Sequence, residues 1–193
     1  MTLKTWSDWI NGCGNSFSRT QCMPRRVFFS FHHQKDSWRV GQVRNSWVAQ
    51  KGESNTFMDA AAWEEVKRKG EAAVKMWIDR ELNGTGVTVV LIGQETASRP
   101  FVRYEIEESF RRKNGLLGIH IHLLRNSDRK MSRKGRNPLD DFTALVDHPF
   151  LWIFGEKATK RYSEIFQTFD WVQDDGRRNM AGWIEEAARR AGR

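Results

Sequence analysis

The chain has 193 residues, a net charge of +8 and a hydrophobic fraction of 39%. This length fits one domain, or one domain with a small appendage, and the nine Trp residues argue against a disordered chain. No apolar run approaches the roughly 20 residues that span a membrane, and no segment is typical of a signal peptide. We therefore expect a cytoplasmic protein. The pair Cys13 and Cys22 is weak evidence for a disulfide and weaker evidence for a metal site.

Much of the positive charge comes from three segments, which are residues 125–136, Arg177-Arg178 and the last five residues. We interpret these segments as solvated loops and a polar tail. A basic face that attracts an anionic ligand such as a dinucleotide is the alternative interpretation. Because the basic residues are scattered and no recognised binding motif is present, the sequence argues against a nucleic-acid binder.

The first 24 residues lack a sustained hydrophobic period, and we interpret them as an extension of a domain over residues 25–193. The domain begins with Arg26–Phe31, an apolar and aromatic segment that predicts a buried strand. Residues His32–Asp36 follow as a loop, and Ser37 can cap the next helix. The spacing predicts the core face of that helix, which consists of Val40, Val43 and Trp47.

The central part of the chain alternates between predicted strands and helices. Phe57–Asp59 is predicted as a short strand, and Ala60–Glu65 as a loop or short helix. A helix over about 68–82 has Val74, Ile78 and Leu82 on one face and ends at Asn83-Gly84. A strand is predicted over 87–93, and a helix follows that starts at Ser98 and Pro100 and has the core residues Val102, Ile106 and Phe110.

On the solvent side of this helix we predict the ion pairs Glu107–Arg111 and Glu108–Arg112. The helix is predicted to end at Asn114-Gly115, before a strand over Leu116–Leu124.

The last third of the chain is predicted to complete the same pattern. Residues 125–138 form a charged connection, Phe150–Phe154 a strand, and residues 159–173 and 178–191 two helices. Alternating strands and helices predict an α/β fold with a mostly parallel sheet and helices on both faces.

Common catalytic motifs are absent from the sequence. There is no glycine-rich phosphate loop, no Gly-x-Ser-x-Gly nucleophile elbow and no Cys/His set with zinc-site spacing. His120 and His122 point to one face of a strand, but without a nearby carboxylate we interpret them as structural and predict no metal site.

One glutamate is placed where a carboxylate can do chemistry. Glu105 lies near the start of its helix, where the helix dipole favours an ionised carboxylate, and outside the predicted core face. Spacing alone favours an ordinary solvent-exposed side chain, and it does not distinguish Glu105 from Glu107 or Glu108.

The segment Ser30–Asp36 is the second candidate site, because ligands of α/β proteins bind at the carboxyl ends of strands. Phe31 or His32 could stack on a base or on nicotinamide, and Ser30 and Asp36 could bind ribose hydroxyls. A strand end followed by a helix cap is an equally good interpretation. Trp63 either lines a pocket or belongs to the core.

Several blocks of sequence, taken in order, resemble the TIR-like domain of the ThsB proteins of bacterial Thoeris anti-phage systems. The resemblance covers about residues 25–185, and the extension before it departs from the family pattern. The blocks are Arg26-Val-Phe-Phe-Ser-Phe-His-His33, Val43-Arg-Asn-Ser-Trp-Val48, Asp59-Ala-Ala-Ala-Trp-Glu64, residues 87–93, Val102-Arg-Tyr-Glu-Ile106, Gly118-Ile-His-Ile121, Asn137-Pro138 and residues 170–176.

The resemblance implies a flavodoxin-like TIR fold over residues 25–193 with a C-terminal helical segment. It implies an enzyme that cleaves its substrate NAD, without another cofactor, into an ADP-ribose-derived signal that is often cyclic. A phage-derived trigger would start the reaction, and the signal would activate a partner effector. The family's catalytic glutamate maps onto Glu105, and we expect a surrounding nucleotide pocket that contains Ser30, Phe31, His32, Asp36, Trp63 and Arg103.

Two other interpretations stay open at this point. A nucleoside deoxyribosyltransferase-like enzyme would also place a carboxylate at an anomeric carbon. A non-catalytic TIR module would signal only by assembling with copies of itself. The exact nucleotide product, the trigger and any homo-oligomer are left undetermined by the sequence.

Overall fold

In the part of the chain that the structure describes, four parallel strands form a central sheet. A computed structural model describes residues 26–51, 60–147 and 157–193, so the N-terminal extension with its cysteines and the strands predicted at 57–59 and 150–154 lie outside the described residues. In chain order the elements are β1 (Val27–Ser30), α1 (His33–Lys51), α2 (Ala60–Arg68), α3 (Glu71–Leu82), β2 (Val87–Ile92), α4 (Pro100–Arg111), β3 (Gly115–His120), β4 (Thr143–Asp147), β5 (Lys157–Arg161), the one-turn helix α5 (Tyr162–Ile165), β6 (Thr168–Asp170) and α6 (Gly176–Arg190).

The strand order of the central sheet is β1-β2-β3-β6, and each neighbouring pair is parallel. All four carboxyl ends therefore lie along one edge. Strands β4 and β5 form a separate antiparallel pair. The predicted α/β fold with a mostly parallel sheet is confirmed. Within the described residues, no helix is long and apolar enough to cross a bilayer.

Helices cover both faces of the sheet, as the sequence predicts. On one face, Phe29 of β1 and Phe31, the residue directly after β1, pack in a cluster with Val43 of α1 and Ile184 of α6. On the other face, Phe28 packs against α3, where the predicted core residues Val74, Ile78 and Leu82 are all buried. Because strand side chains alternate, Ser30 lies on the same face as Phe28, and this is the face that α4 covers.

Helix α1 begins earlier than the sequence predicts. His33–Asp36 form its first turn instead of a loop, because the backbone N–H of Asp36 donates to the carbonyl of His32 over 3.0 Å. Ser37 does not cap the helix; its hydroxyl donates to the carbonyl of His33, one turn back. The predicted core face of α1 is confirmed, since Val40, Val43 and Trp47 are buried.

Helix α4 starts at Pro100 as predicted, and Val102 and Ile106 are buried. The prediction for Phe110 is wrong: 39% of the side chain is exposed, and its ring packs on Tyr162 at 4.5 Å. The buried face of α4 is instead turned toward Glu105 and Ser109. Arg111 pairs with Glu108 rather than with Glu107. The Glu108–Arg112 pair is confirmed, but its predicted place on the solvent side is wrong, because Glu108 is buried. Gly115 begins β3 instead of ending the helix.

The helix predicted over residues 159–173 is wrong, because this segment contains β5, α5 and β6. Asp170 stops any helix there: one of its carboxylate oxygens accepts the backbone N–H groups of Val172 and Gln173, each at 3.0 Å. The last helix is confirmed as α6.

Candidate active site

A buried hydrogen bond joins β1 to α4 at the carboxyl edge of the sheet. The hydroxyl of Ser30 donates to Oε2 of Glu105 over 2.5 Å, across 75 positions of sequence. Ser30 is fully buried and Glu105 is 2% exposed. Among the described residues, no Lys or Arg lies within ion-pair distance of Glu105. The expectation of an ordinary exposed glutamate is therefore wrong.

The burial of Glu105 changes its acidity. Removal from water raises the pKa of Glu105 to about 8, because the charged form loses its hydration. The hydrogen bond from Ser30 acts in the opposite direction, since it stabilises the carboxylate. At neutral pH the free protein thus holds this side chain mostly as the neutral acid. A positive charge close by would favour its ionisation.

Glu105 faces a cavity of about 160 Å³ between the start of α1, helix α2 and the start of α4. Cavities that hold a whole drug-sized ligand are usually about 300–1,000 Å³, so this one suits a ring with its attached sugar. Its walls also contain Phe31, His32, His33, Gln34, Trp63, Lys67, Arg99, Pro100, Phe101 and Val102.

Aromatic rings form one side of this cavity. His33 lies between Phe31, at a centroid distance of 4.1 Å, and Trp63, on which it stacks at 4.3 Å with planes 17° apart. Phe101 meets Trp63 edge-on at 5.6 Å. Burial, with a smaller contribution from His32, lowers the pKa of His33 to about 4. The imidazole is thus neutral at physiological pH and serves as a fourth ring of the wall, beside Phe31, Trp63 and Phe101.

The structure brings four further predicted site residues next to Glu105. Ser30 binds the carboxylate directly, and Phe31, His32 and Trp63 line the cavity. His32 is 6% exposed, and its Nδ1 has no hydrogen-bond partner among the described residues. Burial first, and then the positive charge of Arg99, lowers the pKa of His32.

Two predicted substrate-binding residues lie elsewhere. Asp36 is buried under the sheet edge, where its carboxylate accepts from Nη1 of Arg39 at 3.1 Å and packs against Gly93. Arg103 pairs with Asp141 at 2.7 Å and does not line the cavity. For both residues a role in substrate binding stays a prediction without structural support.

Sequence reasoning missed His33, Lys67 and Arg99 as cavity residues. Weak signals for two of them were present. Lys67 follows Trp63 by four positions, which places both on one face of a helix, and Arg99 directly precedes the proline that starts α4. His33 lies within the candidate segment Ser30–Asp36 but was not singled out, because His32–Asp36 was interpreted as a loop.

His120 and His122 lie outside this cavity. Contrary to expectation a carboxylate is close to them, since Nδ1 of His122 lies 3.5 Å from Oδ2 of Asp170. In the part of the chain that the structure describes, no group of three His, Cys, Asp or Glu residues could hold a metal ion. We keep the structural interpretation of both histidines.

Comparisons with known proteins agree with this architecture. Residues 28–126 match the family model of the TIR-like domain of the Thoeris protein ThsB. The chain is also 33% identical over 191 residues to a protein of Bacillus cereus (strain MSX-D12) named "Putative cyclic ADP-D-ribose synthase ThsB1". This match covers 84% of the chain and all of the relative. The chain therefore belongs to the ThsB family of Thoeris TIR-like proteins.

Proposed function

We propose that this protein is an anti-phage defence enzyme that cleaves the nicotinamide–ribose bond of NAD and makes a cyclic ADP-ribose-type signal. The observation that carries the proposal is the buried carboxyl group of Glu105, which faces an aromatic cavity and lacks a cationic partner among the described residues. The name of the Bacillus cereus relative supports the same class of product.

The chemistry needs little more than one carboxylate. Breaking the bond between C1′ of the ribose and the nicotinamide nitrogen builds positive charge on the sugar. A carboxylate beside the ribose stabilises this charge and can accept hydrogen bonds from the sugar hydroxyls. The electron pair of the broken bond leaves with nicotinamide, which departs as a neutral base. No strong acid is therefore required, and Glu105 acts in its ionised form.

The surroundings of Glu105 support both substrate binding and product choice. The positive nicotinamide ring of NAD offsets the cost of ionising a buried carboxyl group, so binding and ionisation favour each other. Phe31 and Trp63 supply rings on which a flat heterocycle can stack. A site with few water molecules favours attack on C1′ by a nucleophile of the same dinucleotide, and hence cyclisation over hydrolysis.

The product would serve as a messenger rather than as an end product. In this proposal a phage component triggers the enzyme, and the nucleotide activates a separate effector without direct contact between the two proteins. NAD enters as a substrate, and no metal or additional cofactor is part of the scheme. A cytoplasmic location gives the enzyme access to NAD and to the infecting phage.

The proposal can be tested in infected cells. Nucleotides are extracted after phage infection from cells that carry wild type, Glu105→Gln or Glu107→Gln, and are compared by mass spectrometry. We expect a new ADP-ribose derivative with wild type and with Glu107→Gln, whose side chain is exposed on the same helix, but not with Glu105→Gln.

The possible contrary results are distinct. A product that persists in Glu105→Gln would reject the catalytic role of this residue. If cells with wild type contain no product derived from NAD, the proposal of NAD cleavage itself is rejected. Deoxynucleosides offered in place of NAD test the deoxyribosyltransferase alternative, which predicts exchange of the base.

A further inference from the structure

The entrance of the cavity differs from its interior in charge. Glu105 is 2% exposed, whereas the side chains of Lys67 and Arg99 are 44% and 37% exposed and also line the cavity. Lys67 comes from α2, and Arg99 is the residue directly before α4. Two partly exposed cations, one from α2 and one from the residue before α4, thus line the cavity, and its carboxyl group is buried.

Neither cation is fully neutralised by its neighbours. Nζ of Lys67 lies 3.9 Å from Glu64, at the limit of an ion pair. Arg99 contacts Glu95 at 2.9 Å, but Glu95 is shared with Lys35, and Nε of Arg99 has no hydrogen-bond partner among the described residues. In these contacts three cations, Lys67, Arg99 and Lys35, share two carboxylates.

The start of α4 adds to this positive potential. Pro100 and Phe101 line the cavity, and the side chain of the N-cap residue Arg99 makes no capping hydrogen bond. The partial positive charge of the helix dipole is thus directed toward the opening. His32 lines the same cavity: burial first, and then Arg99, lowers its pKa, Glu95 raises it, and Lys35 and Lys67 lower it further.

We propose that Lys67 and Arg99 form a clamp that binds the diphosphate of a dinucleotide substrate while its nicotinamide riboside lies against Glu105. This inference rests on the proposed function, and it adds the group that selects the substrate. The charge order of NAD, with a cationic ring at one end and a diphosphate next to its ribose, matches the charge order of the cavity. The clamp makes the protein bind dinucleotides in preference to nucleosides.

Equilibrium binding tests the clamp without requiring turnover. In a Glu105→Gln background, the dissociation constants of NAD and of nicotinamide riboside are measured by calorimetry. We expect Lys67→Met and Arg99→Met each to weaken NAD about tenfold, as for the loss of one charged hydrogen bond. Nicotinamide riboside, which has no phosphate, should bind all variants within about twofold of the parent.

Matched controls separate the clamp from general charge effects. Lys69→Met and Arg178→Met each remove one positive charge outside the cavity and should leave NAD affinity unchanged. Arg99→Lys keeps the charge and should restore most of the affinity. If Arg99→Met does not fold, as judged by circular dichroism, Lys67→Met and Arg99→Lys decide the question.

Each contrary result has one meaning. NAD affinity within twofold of the parent in both Lys67→Met and Arg99→Met would overturn the clamp, and NAD binding by the parent would leave the proposed function standing. An equal loss for NAD and nicotinamide riboside would show general damage to the cavity and would also overturn the clamp. A parent that binds neither compound, together with no nucleotide product in infected cells, would overturn both proposals.

Discussion

Two buried glutamates one turn apart on α4 behave in opposite ways. Glu105 receives one hydroxyl hydrogen bond, and burial raises its pKa to about 8. Glu108 accepts from Arg111 at 2.6 and 2.8 Å and from Arg112 at 2.7 Å, and these bonds lower its pKa to about 2. The ion pairs of Glu108 stabilise the end of α4, whereas Glu105 has no cationic partner among the described residues and can bind a positive charge.

The contrast shows how one helix can serve stability and chemistry at once. A carboxylate that already has two guanidinium partners gains little from a substrate cation. A carboxyl group without such partners is costly to ionise until a cation arrives, and the substrate then supplies the missing charge. The absence of a partner, more than the glutamate itself, marks Glu105 as a site for chemistry.

The largest expected effect separates the two residues by activity. Glu105→Gln should lower the rate of nicotinamide release from NAD about 100- to 1,000-fold, because the carboxylate that stabilises the ribose cation is lost. Glu108→Gln should change it less than about threefold, since Glu108 does not line the cavity. The rate is measured in extracts of phage-infected cells at fixed NAD. Equal losses of rate in the two variants would show that the two glutamates do not differ in their contribution to NAD cleavage.

Stability against pH should separate the same two residues with opposite signs. Glu105 has a raised pKa in the folded protein, so the folded state binds the extra proton, and stability falls as pH rises from about 4.5 to about 8. Glu105→Gln removes this penalty and should be more stable than wild type at pH 9, by on the order of 3 kcal/mol.

Glu108 has a lowered pKa, so its stabilisation is present above about pH 4.5 and is lost as pH falls toward 2. Glu108→Gln should therefore lose about 1 kcal/mol at pH 7, a value reduced by screening because Arg111 is mostly in solvent. Urea unfolding at pH 3, 7 and 9 measures both effects. A Glu105→Gln protein less stable than wild type at pH 9 would contradict the assigned pKa.

A smaller effect tests the single hydrogen bond that distinguishes Glu105 from an isolated acid. The rate of NAD cleavage at low substrate should rise with pH up to about 8, because only the ionised carboxylate acts. Ser30→Ala removes a bond that stabilises the charge, so the rise should move to higher pH and the rate at pH 7 should fall several-fold. Ser109→Ala removes a hydroxyl that donates to the backbone carbonyl of Glu105 at 2.6 Å and contacts Thr88 at 2.8 Å. Because this hydroxyl does not bond the carboxyl group of Glu105, its loss should leave the midpoint unchanged.

The smallest effect concerns the aromatic wall that keeps Glu105 dry. His33→Phe retains a neutral ring between Phe31 and Trp63, so the pH profile of NAD cleavage should move very little. His33→Ala opens the wall to water and should shift the profile to lower pH, so that the pKa of Glu105 moves closer to that of Glu108. It should also cost about 1 kcal/mol of stability through the lost ring contacts. Identical profiles for the two variants would show that the wall has no part in the acidity of Glu105.

The general fold could be predicted from the sequence because it depends on local patterns. Three- and four-residue spacing located the core faces of α1 and α3, and apolar runs located β1, β2 and β3. Predictions failed where local signals were weak or ambiguous. The strand β6 has only three residues, and its apolar neighbours resembled a helix until Asp170 was seen to cap the following turn.

Only part of the candidate site could be predicted from the sequence. Resemblance to a family singled out Glu105, whereas spacing treated it like Glu107 and Glu108. Lys67 lies on α2 and Arg99 directly before α4, and the sequence does not place these two segments together. No signal was strong enough to predict that both residues line one cavity.

By itself, the sequence determined the strands and helices from β1 to β3, the last helix, the mostly parallel sheet and the family, since each depends on residue type and short-range spacing. The tertiary structure alone decided which glutamate is buried without a cationic partner. That property arises because Ser30, 75 positions away, lies on the face of the sheet that α4 covers. Acidity depends on the groups that surround a side chain in space, and those groups come from distant parts of the chain.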